Sequence, residues 1–514
     1  MKHTPLFNQH IRDASVVINL KGFARAMEYC GHLKEHRATR EAVTLCDVSH
    51  MGEIDFSGPD AEALVQKLIA SDAARLAVDQ ALYSVMCDEK GAVIDDLVCF
   101  RLAADHFIWV VNVTKTDQDY QWILRHAAGI NVTVRNVSTD FALMALQGPE
   151  SREALQRITK ADLSTLKYYW LTQTAVHTAL GEVPCVISRT GYTGERGYEI
   201  LVERDLAPAV WDELLLVGRP LGIIPHGVAA RESLRTEAGY LLNGNDMDGT
   251  TNPFEAGLGW VVKLSKDFIG RAALEDLKKK GVKRTVVGLE VQGPHTIRKG
   301  HALFKNGAQI GEVTSGPLIS PKSGARQGLG YVQVEYAKRG TEVEVEIRGR
   351  RYTVRVVALP LAPRRVREEP SIRTYSPYDL RFTPSHIWAK SDRDGVVTVG
   401  ISDFGQRTLG DILHVEHPRI GNRLNAGATA GCVDSYRKTF EILAPLSGEV
   451  IEVNSEAART PARINAYPYS TSGIFRMRAS NPFEYESLMP FADYAELTAE
   501  LSRYDRWSQE KRIF

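Results

Sequence analysis

The chain has no charge surplus and few cysteines. Its 63 Lys and Arg residues cancel 63 Asp and Glu residues over 514 positions, which removes the basic footprint of a dedicated nucleic-acid binder. The six cysteines, Cys30, Cys46, Cys87, Cys99, Cys185 and Cys432, form no CxxC pair, so neither a zinc ribbon nor a disulfide framework is indicated and no metal site is expected. No uninterrupted apolar stretch reaches the roughly 18 residues that a membrane-spanning helix requires. The opening residues, MKHTPLFNQHIRD, lack an apolar signal core, and a reducing, cytoplasmic setting is expected. No GxxxxGK[ST] occurs and no GxGxxG opens a helix after a strand, so neither a nucleoside-triphosphate nor a dinucleotide fold is predicted. A small neutral or anionic ligand fits what remains.

With 44% hydrophobic and 25% charged residues, the chain can bury several cores, enough for roughly three or four domains. Residues 1–275 mix helical and strand periods and read as an α+β region of two intertwined subdomains. Residues 276–362 hold short strands broken by glycine turns, VVGLEV, IGEVTSG, LGYVQV, TEVEVEI and YTVRVVAL, the pattern of a small β-barrel or sandwich. Residues 363–380 are rich in charge, Pro and Ser and read as a linker. Residues 381–514 read as an all-β unit (VVTVGI, DILHVE, EILAPLSGEVIEV) closed by a helical stretch from Glu484.

Four stretches carry candidate chemistry. GAVIDDLVCF, from Gly91, is a predicted strand with Asp95 and Asp96 on opposite faces of an otherwise apolar run, so each acid needs a donor, a cation or a wet cleft. Two capped structural acids and a functional carboxylate both satisfy that pattern. TGYTGERGYE, from Thr190, surrounds Glu195 with glycines and tyrosines; a tight hairpin explains it, and so does a backbone brought close to an amino-bearing heterocycle. GNDMDGTTNPFE, from Gly244, has Asp246, Asp248, Gly249 and Glu255 at calcium-loop offsets but begins with Gly instead of Asp, and reads as a structural loop. In CDVSHMG, Asp47 and Ser49 share a strand face that His50 does not, so no triad is predicted and His50 reads as a satisfied structural histidine.

Taken together, TPLF at Thr4, DVSHMGE at Asp47, ALYSVMC at Ala81, GAVIDDLV, VVNVTK at Val110, LQGPES at Leu146, SRTGYTGERGYE and NPFEAGLGWVVKL resemble the glycine cleavage T-protein over residues 1–362. The resemblance implies a three-domain, tetrahydrofolate-dependent one-carbon transferase with folate in a central channel. By the same resemblance Asp96 is the catalytic carboxylate, Glu195 holds the pterin's amino edge, and Met51, Tyr83, Asn112, Arg231 and Trp260 line or brace the channel. An ionised Asp96 would stabilise and deprotonate a cationic species during transfer. Leu20-Lys21-Gly22-Phe23, Ala26 and Phe100 depart from the family pattern away from the folate-facing motifs, which leaves the one-carbon donor open.

Residues 381–505 resemble the lipoyl-bearing H-protein through HIWAK, VTVGISDFGQRTLGDI, APLSGEVIEVN and YPYSTSGIF, which implies a barrel-sandwich hybrid. Aligning DSYRKTFEILAP places Arg437 at the lipoyl position. A guanidinium cannot take the place of an amine in amide formation, so no lipoyl attachment is expected there, and Lys438, one residue beyond, is the sole alternative. The expected function is that of an aminomethyltransferase-type enzyme, its partner a small-molecule one-carbon donor or an aminomethylated carrier. Its H-like domain is expected to dock on, or cover, the T-like channel. A folate-dependent demethylase or methylene transferase acting on a free small molecule is the alternative within the class. A non-catalytic folate-binding or carrier-docking scaffold is the alternative outside it.

Overall fold

A computed structural model describes all residues except 322, 368–373, 393, 411, 436–438 and 511–514, and the side chains of 502–510. Arg437 and Lys438, and part of the expected 363–380 linker, therefore lie outside the described residues. Among the described residues no helix is long and apolar enough to cross a membrane.

Two antiparallel sheets organise the first 240 or so residues. One has five strands in the order Gln80–Cys87, Val93–Ala103, His106–Val111, Gly52–Ser57, Thr133–Asn136. The other has six, in the order Leu171–Thr178, Gly181–Ser188, Gly197–Glu203, Phe141–Gln147, Thr44–Asp47, Ile224–Pro225, with only the last paired in parallel. Strand alternation assigns the faces. In the six-stranded sheet Leu45, Ala142, Met144, Leu146, Tyr198, Ile200 and Val202 pack with Leu155, Trp211 and Leu214 from the helices Ser151–Gln156 and Ala207–Gly218. The opposite face, with Cys46, Leu143, Ala145 and Leu201, meets Ala81, Phe100, Ile108 and Val110 of the five-stranded sheet.

A closed six-stranded barrel follows, from Arg284–Val291 to Arg350–Val357, around a Val- and Leu-rich core. Residues from Arg381 onward form a seven-stranded and a three-stranded sheet over a shared apolar core, and the last described element is the helix Phe491–Glu510. The α+β class, the barrel and the second β-rich unit agree with the sequence reading. EILAPLSGEVIEV is two strands, Thr439–Leu443 and Gly448–Val453, because Pro445 cannot donate to a ladder and the chain turns there.

The C-terminal unit sits against the helix layer of the six-stranded sheet, on the side away from the five-stranded sheet. Arg157 is buried there: its guanidinium donates to the Val217 carbonyl at 2.7 Å, to Asp403 Oδ1 at 3.1 Å and to the Ala466 carbonyl. Tyr467 donates to Glu150 at 2.7 Å, and Ala466 and Tyr467 pack on the adjoining core. The expected docking is thus seen, but onto the back of the sheet. The seat leaves the space between the two sheets uncovered from that side, since the whole six-stranded sheet intervenes.

Arg157→Ala removes one of the two guanidinium partners of Asp403, whose Oδ2 keeps Arg407 at 3.0 Å. The expected loss is that of a buried guanidinium whose acceptors are left behind, roughly 3–5 kcal/mol, the scale of breaking a buried ion pair, read by urea unfolding. A midpoint unchanged from the parent protein would contradict this account of the seat.

Candidate active site

Between the two sheets lies a cavity of about 930 Å³, lined at its edges by Val286 and Leu359 of the barrel. Its size suits a drug-sized organic ligand. Asp96 stands on its wall, on the strand Val93–Ala103, while Asp95 turns to the other face as alternation demands. Tyr83, opposite Val98 on the neighbouring strand, donates its hydroxyl to Asp96 Oδ2 at 3.0 Å. Asn112 closes the strand His106–Val111, and its side-chain amide reaches Asp96 Oδ1 at 2.9 Å and Asp95 Oδ1 at 2.8 Å. No Lys or Arg lies within ion-pair distance of either acid among the described residues. Burial, with the neighbouring charge of Asp95, therefore lifts the Asp96 pKa to about 7, against the Tyr83 and Asn112 hydrogen bonds that lower it. At neutral pH Asp96 is poised between its two forms rather than fixed as an anion.

Met51, Tyr83, Asp96, Asn112, Arg231 and Trp260 all line this cavity. Trp260, 62% exposed, stacks on Tyr83 with centroids 5.9 Å apart and marks the mouth. Glu195 is not in the wall. Its carboxylate is taken by Arg40 at 3.0 Å and by Arg365 at 2.8 Å, so it anchors the segment leaving the barrel. The acid of this stretch that faces the cavity is Glu199. In the strand Gly197–Glu203, Tyr198 and Ile200 point into the helix-side core and Glu199 takes the other face with Leu201. Thr190 donates to Glu199 Oε2; burial raises the Glu199 pKa, opposed by that bond and by the charge of Arg231.

The glycines of TGYTGERGYE make room for a side chain. A Cβ at Gly191 or Gly197 would lie 2.1–2.2 Å from the amide end of Gln147, which donates to the Thr190 carbonyl and accepts from Thr193 at 2.8 Å. Gln147, Glu199, His226, Tyr168, Tyr169, Tyr192 and Tyr240 all line the cavity without having been singled out from sequence. Alternation along GYEILVE was the one available signal for Glu199. Arg364 and Arg367, from the expected linker, also line the cavity, over the rings of Tyr240 (4.5 Å) and Tyr168 (5.7 Å).

The two remaining stretches resolve differently. Asp246 is fully buried, paired with Arg235 at 2.6 Å and accepting from Ser315 and Thr314, so it ties the helix Val228–Glu237 to the barrel. Among the described residues no group of His, Cys, Asp and Glu could hold a metal ion. Asp47 ends its strand, and Val48–Met51 form a turn, so the sequence picture of one strand running through His50 does not hold. Nor is His50 satisfied among the described residues: it is buried and held neutral by burial and by Arg25 and Arg231, with Nε2 3.4 Å from Arg231 and no described partner for Nδ1.

Three family models match most of the chain in order: the GCVT N-terminal domain over residues 6–266, the glycine cleavage T-protein C-terminal barrel domain over 284–362 and the glycine cleavage H-protein over 380–501. The chain is 42% identical over 358 residues to the aminomethyltransferase of Desulfitobacterium hafniense (strain DSM 10664 / DCB-2), covering 70% of this chain and 97% of the relative. It is 42% identical over 361 residues to that of Halothermothrix orenii, covering 70% and 99%. The crystal structure of glycine cleavage system aminomethyltransferase T from Bartonella henselae superposes with a TM-score of 0.67 at 34% identity, over 71% of this chain and 99% of that one.

The geometry predicts that Asp96 titrates near neutrality, with a midpoint of about 7, and that Tyr83→Phe moves the midpoint upward by removing a bond that favours the anion. Carboxyl carbon shifts followed by NMR across the pH range read both. A midpoint in the ordinary carboxylate range would contradict it.

Proposed function

The chain belongs to the glycine cleavage T-protein family of aminomethyltransferases, folate-dependent one-carbon transferases, and we propose that its transfer chemistry takes place in the cavity between the two sheets. The observation that carries this reading is Asp96, half-buried on the cavity wall and held, among the described residues, by the neutral side-chain donors Tyr83 and Asn112. Tetrahydrofolate suits the residues present. The cavity offers stacked aromatics for a flat heterocycle, Glu199 as an acceptor for its amino edge, and a mouth made positive by Arg364 and Arg367 for its anionic tail. The buried Nε of Arg231, a donor, and Nε2 of His226, a donor or an acceptor according to its tautomer, have no partner among the described residues and are open to a ligand.

When bound, tetrahydrofolate supplies the nucleophilic nitrogens that accept the one-carbon unit. The chain's residues do the rest. Asp96 stabilises positive charge that develops beside it, in a dry site where a fixed carboxylate acts more strongly than in water. Its pKa of about 7 also lets it hold or release a proton near working pH. Tyr83 and Asn112 fix its two oxygens, and Trp260 screens the mouth. Assigning the pterin contact to Glu199 rather than Glu195 follows from the cavity wall, since the Glu195 carboxylate is committed to Arg40 and Arg365.

The seat of the H-like unit behind the six-stranded sheet favours a donor that reaches the mouth from outside the chain. An aminomethylated lipoyl carrier is the first such donor, and a free N-methyl or aminomethyl compound is the second. Full-length protein supplied with tetrahydrofolate and each donor in turn separates them: an aminomethyl donor carries its carbon at the formaldehyde level and yields methylenetetrahydrofolate, whereas an N-methyl donor, with no oxidant supplied, can yield only methyltetrahydrofolate. Turnover with neither would count against the enzyme reading.

Asp96→Asn is expected to fold and to lose on the order of hundredfold or more in kcat, the usual scale for a removed electrostatic group. Glu199→Ala should weaken tetrahydrofolate binding by roughly 1.5–3 kcal/mol, the worth of a charged hydrogen bond, and by more than Glu195→Ala does. Titration calorimetry reads the pair, and the reverse ranking would return the pterin contact to Glu195.

A further inference from the structure

Behind Asp96, away from the cavity, lies a third carboxyl that the transfer chemistry does not touch. Asp119, on the helix Thr116–Ala127, is fully buried. Neither of its oxygens meets an N–H or O–H donor from any described residue. Its hydrogen-bonding neighbour is the carboxyl of Asp95, itself buried. Asp95 in turn accepts the Asn112 backbone N–H at 3.0 Å and its side-chain amide at 2.8 Å, and the same amide holds Asp96 Oδ1 at 2.9 Å and the Asp96 carbonyl at 3.2 Å.

Two carboxylates cannot hydrogen-bond to each other without a proton between them. If both were ionised they would stand in contact, buried, with Asp96 as a third negative charge just beyond Asn112. The charged group facing them besides Asp96 is Lys115, the residue just before the helix of Asp119, and it forms no ion pair with either. Tyr83 faces only Asp96.

We propose that Asp119 is a positioning residue for Asp96: it shares one proton with Asp95, the proton-bridged pair fixes Asn112, and the Asn112 amide sets the aim of Asp96. The inference rests on the reading of Asp96 given above. Burial raises the pKa of both acids, that of Asp119 to about 7 and that of Asp95 well above its ordinary value, which agrees with a bound proton. Coupled acids lose such a proton as a pair, so no single midpoint belongs to either one. As pH rises the pair gives up its proton, the two charges repel, Asn112 loses its hold, and turnover falls on the alkaline side.

Two variants and two readouts test it. Asn at position 119 has the shape of Asp and carries a permanent N–H donor, so Asp119→Asn should keep kcat within about threefold of the parent, whereas Asp119→Ala should lose ten- to hundredfold in kcat with KM for tetrahydrofolate nearly unchanged, the scale of a misplaced catalytic group. The alkaline fall should be absent in Asp119→Asn. A parent-minus-variant infrared difference spectrum at neutral pH, taken without substrates, should show the carbonyl band of a protonated carboxyl lost in Asp119→Asn. That band does not depend on turnover, so it decides the shared proton even if the parent protein uses neither donor, in which case the functional reading alone fails. Absence of the band, an alkaline fall that survives in Asp119→Asn, or equal kcat loss in both variants would overturn the proposal.

Discussion

Asp96 is a carboxylate on a largely apolar strand with no cation within ion-pair distance among the described residues, and the surrounding structure is arranged around that cost. An isolated buried charge is several kcal/mol unfavourable, and the chain answers with neutral donors on both oxygens, Tyr83 from one flanking strand and Asn112 from the end of the other. A nearby Arg would have stabilised the anion more, and would have cancelled the charge that makes it useful. Register therefore matters as much as composition: the Tyr83–Val98 and Val110–Val98 pairings bring both donors to one point, and a slip of one residue would turn Asp96 into the opposite core.

Much of this was legible beforehand. The strand through Asp95 and Asp96, the opposed faces of the two acids, the barrel and the second β-rich unit follow from period-two patterning and turn residues, which are local properties. Six of the seven positions carried over from the family, Met51, Tyr83, Asp96, Asn112, Arg231 and Trp260, do meet in one cavity. The seventh shows the limit. Glu195 and Glu199 sit four residues apart in a glycine-rich stretch, and choosing between them requires knowing where the turn stops and the strand starts. What captures Glu195, namely Arg40 and Arg365, lies 155 and 170 residues away in sequence, and no local pattern announces a contact at that range. Gln147 was invisible for the same reason: its space is made by Gly191 and Gly197 on a different segment.

The fused β-rich unit was expected over the channel and is found behind it. Hydrophobic patterning gave its sheets but not its seat, because the seat depends on one guanidinium, Arg157, satisfied from both sides of the junction by Val217, Asp403 and Ala466. A single arginine inside a helix-rich stretch carries no sign that its partners come from another unit. The junction behaves as an extension of the helix-side core, with Tyr467 and Ala466 packed into it, rather than as a swinging tether.

The segment that leaves the barrel has a kinetic consequence. Leu361 donates its N–H to the Glu237 carbonyl, Arg364 bonds the Ala238 carbonyl, and Arg365 is stitched to Gly194 and Glu195, so the barrel is sewn to the rim of the cavity on both sides. Opening by a hinge would have to break these bonds together, on the microsecond-to-millisecond scale of domain motion. Rotation of the exposed Trp260, and of Arg367 off Tyr168, requires none of that and proceeds in picoseconds to nanoseconds. The speed of exchange at this mouth is thereby set by side chains, and the rigid frame behind them does not have to move for a molecule to come and go.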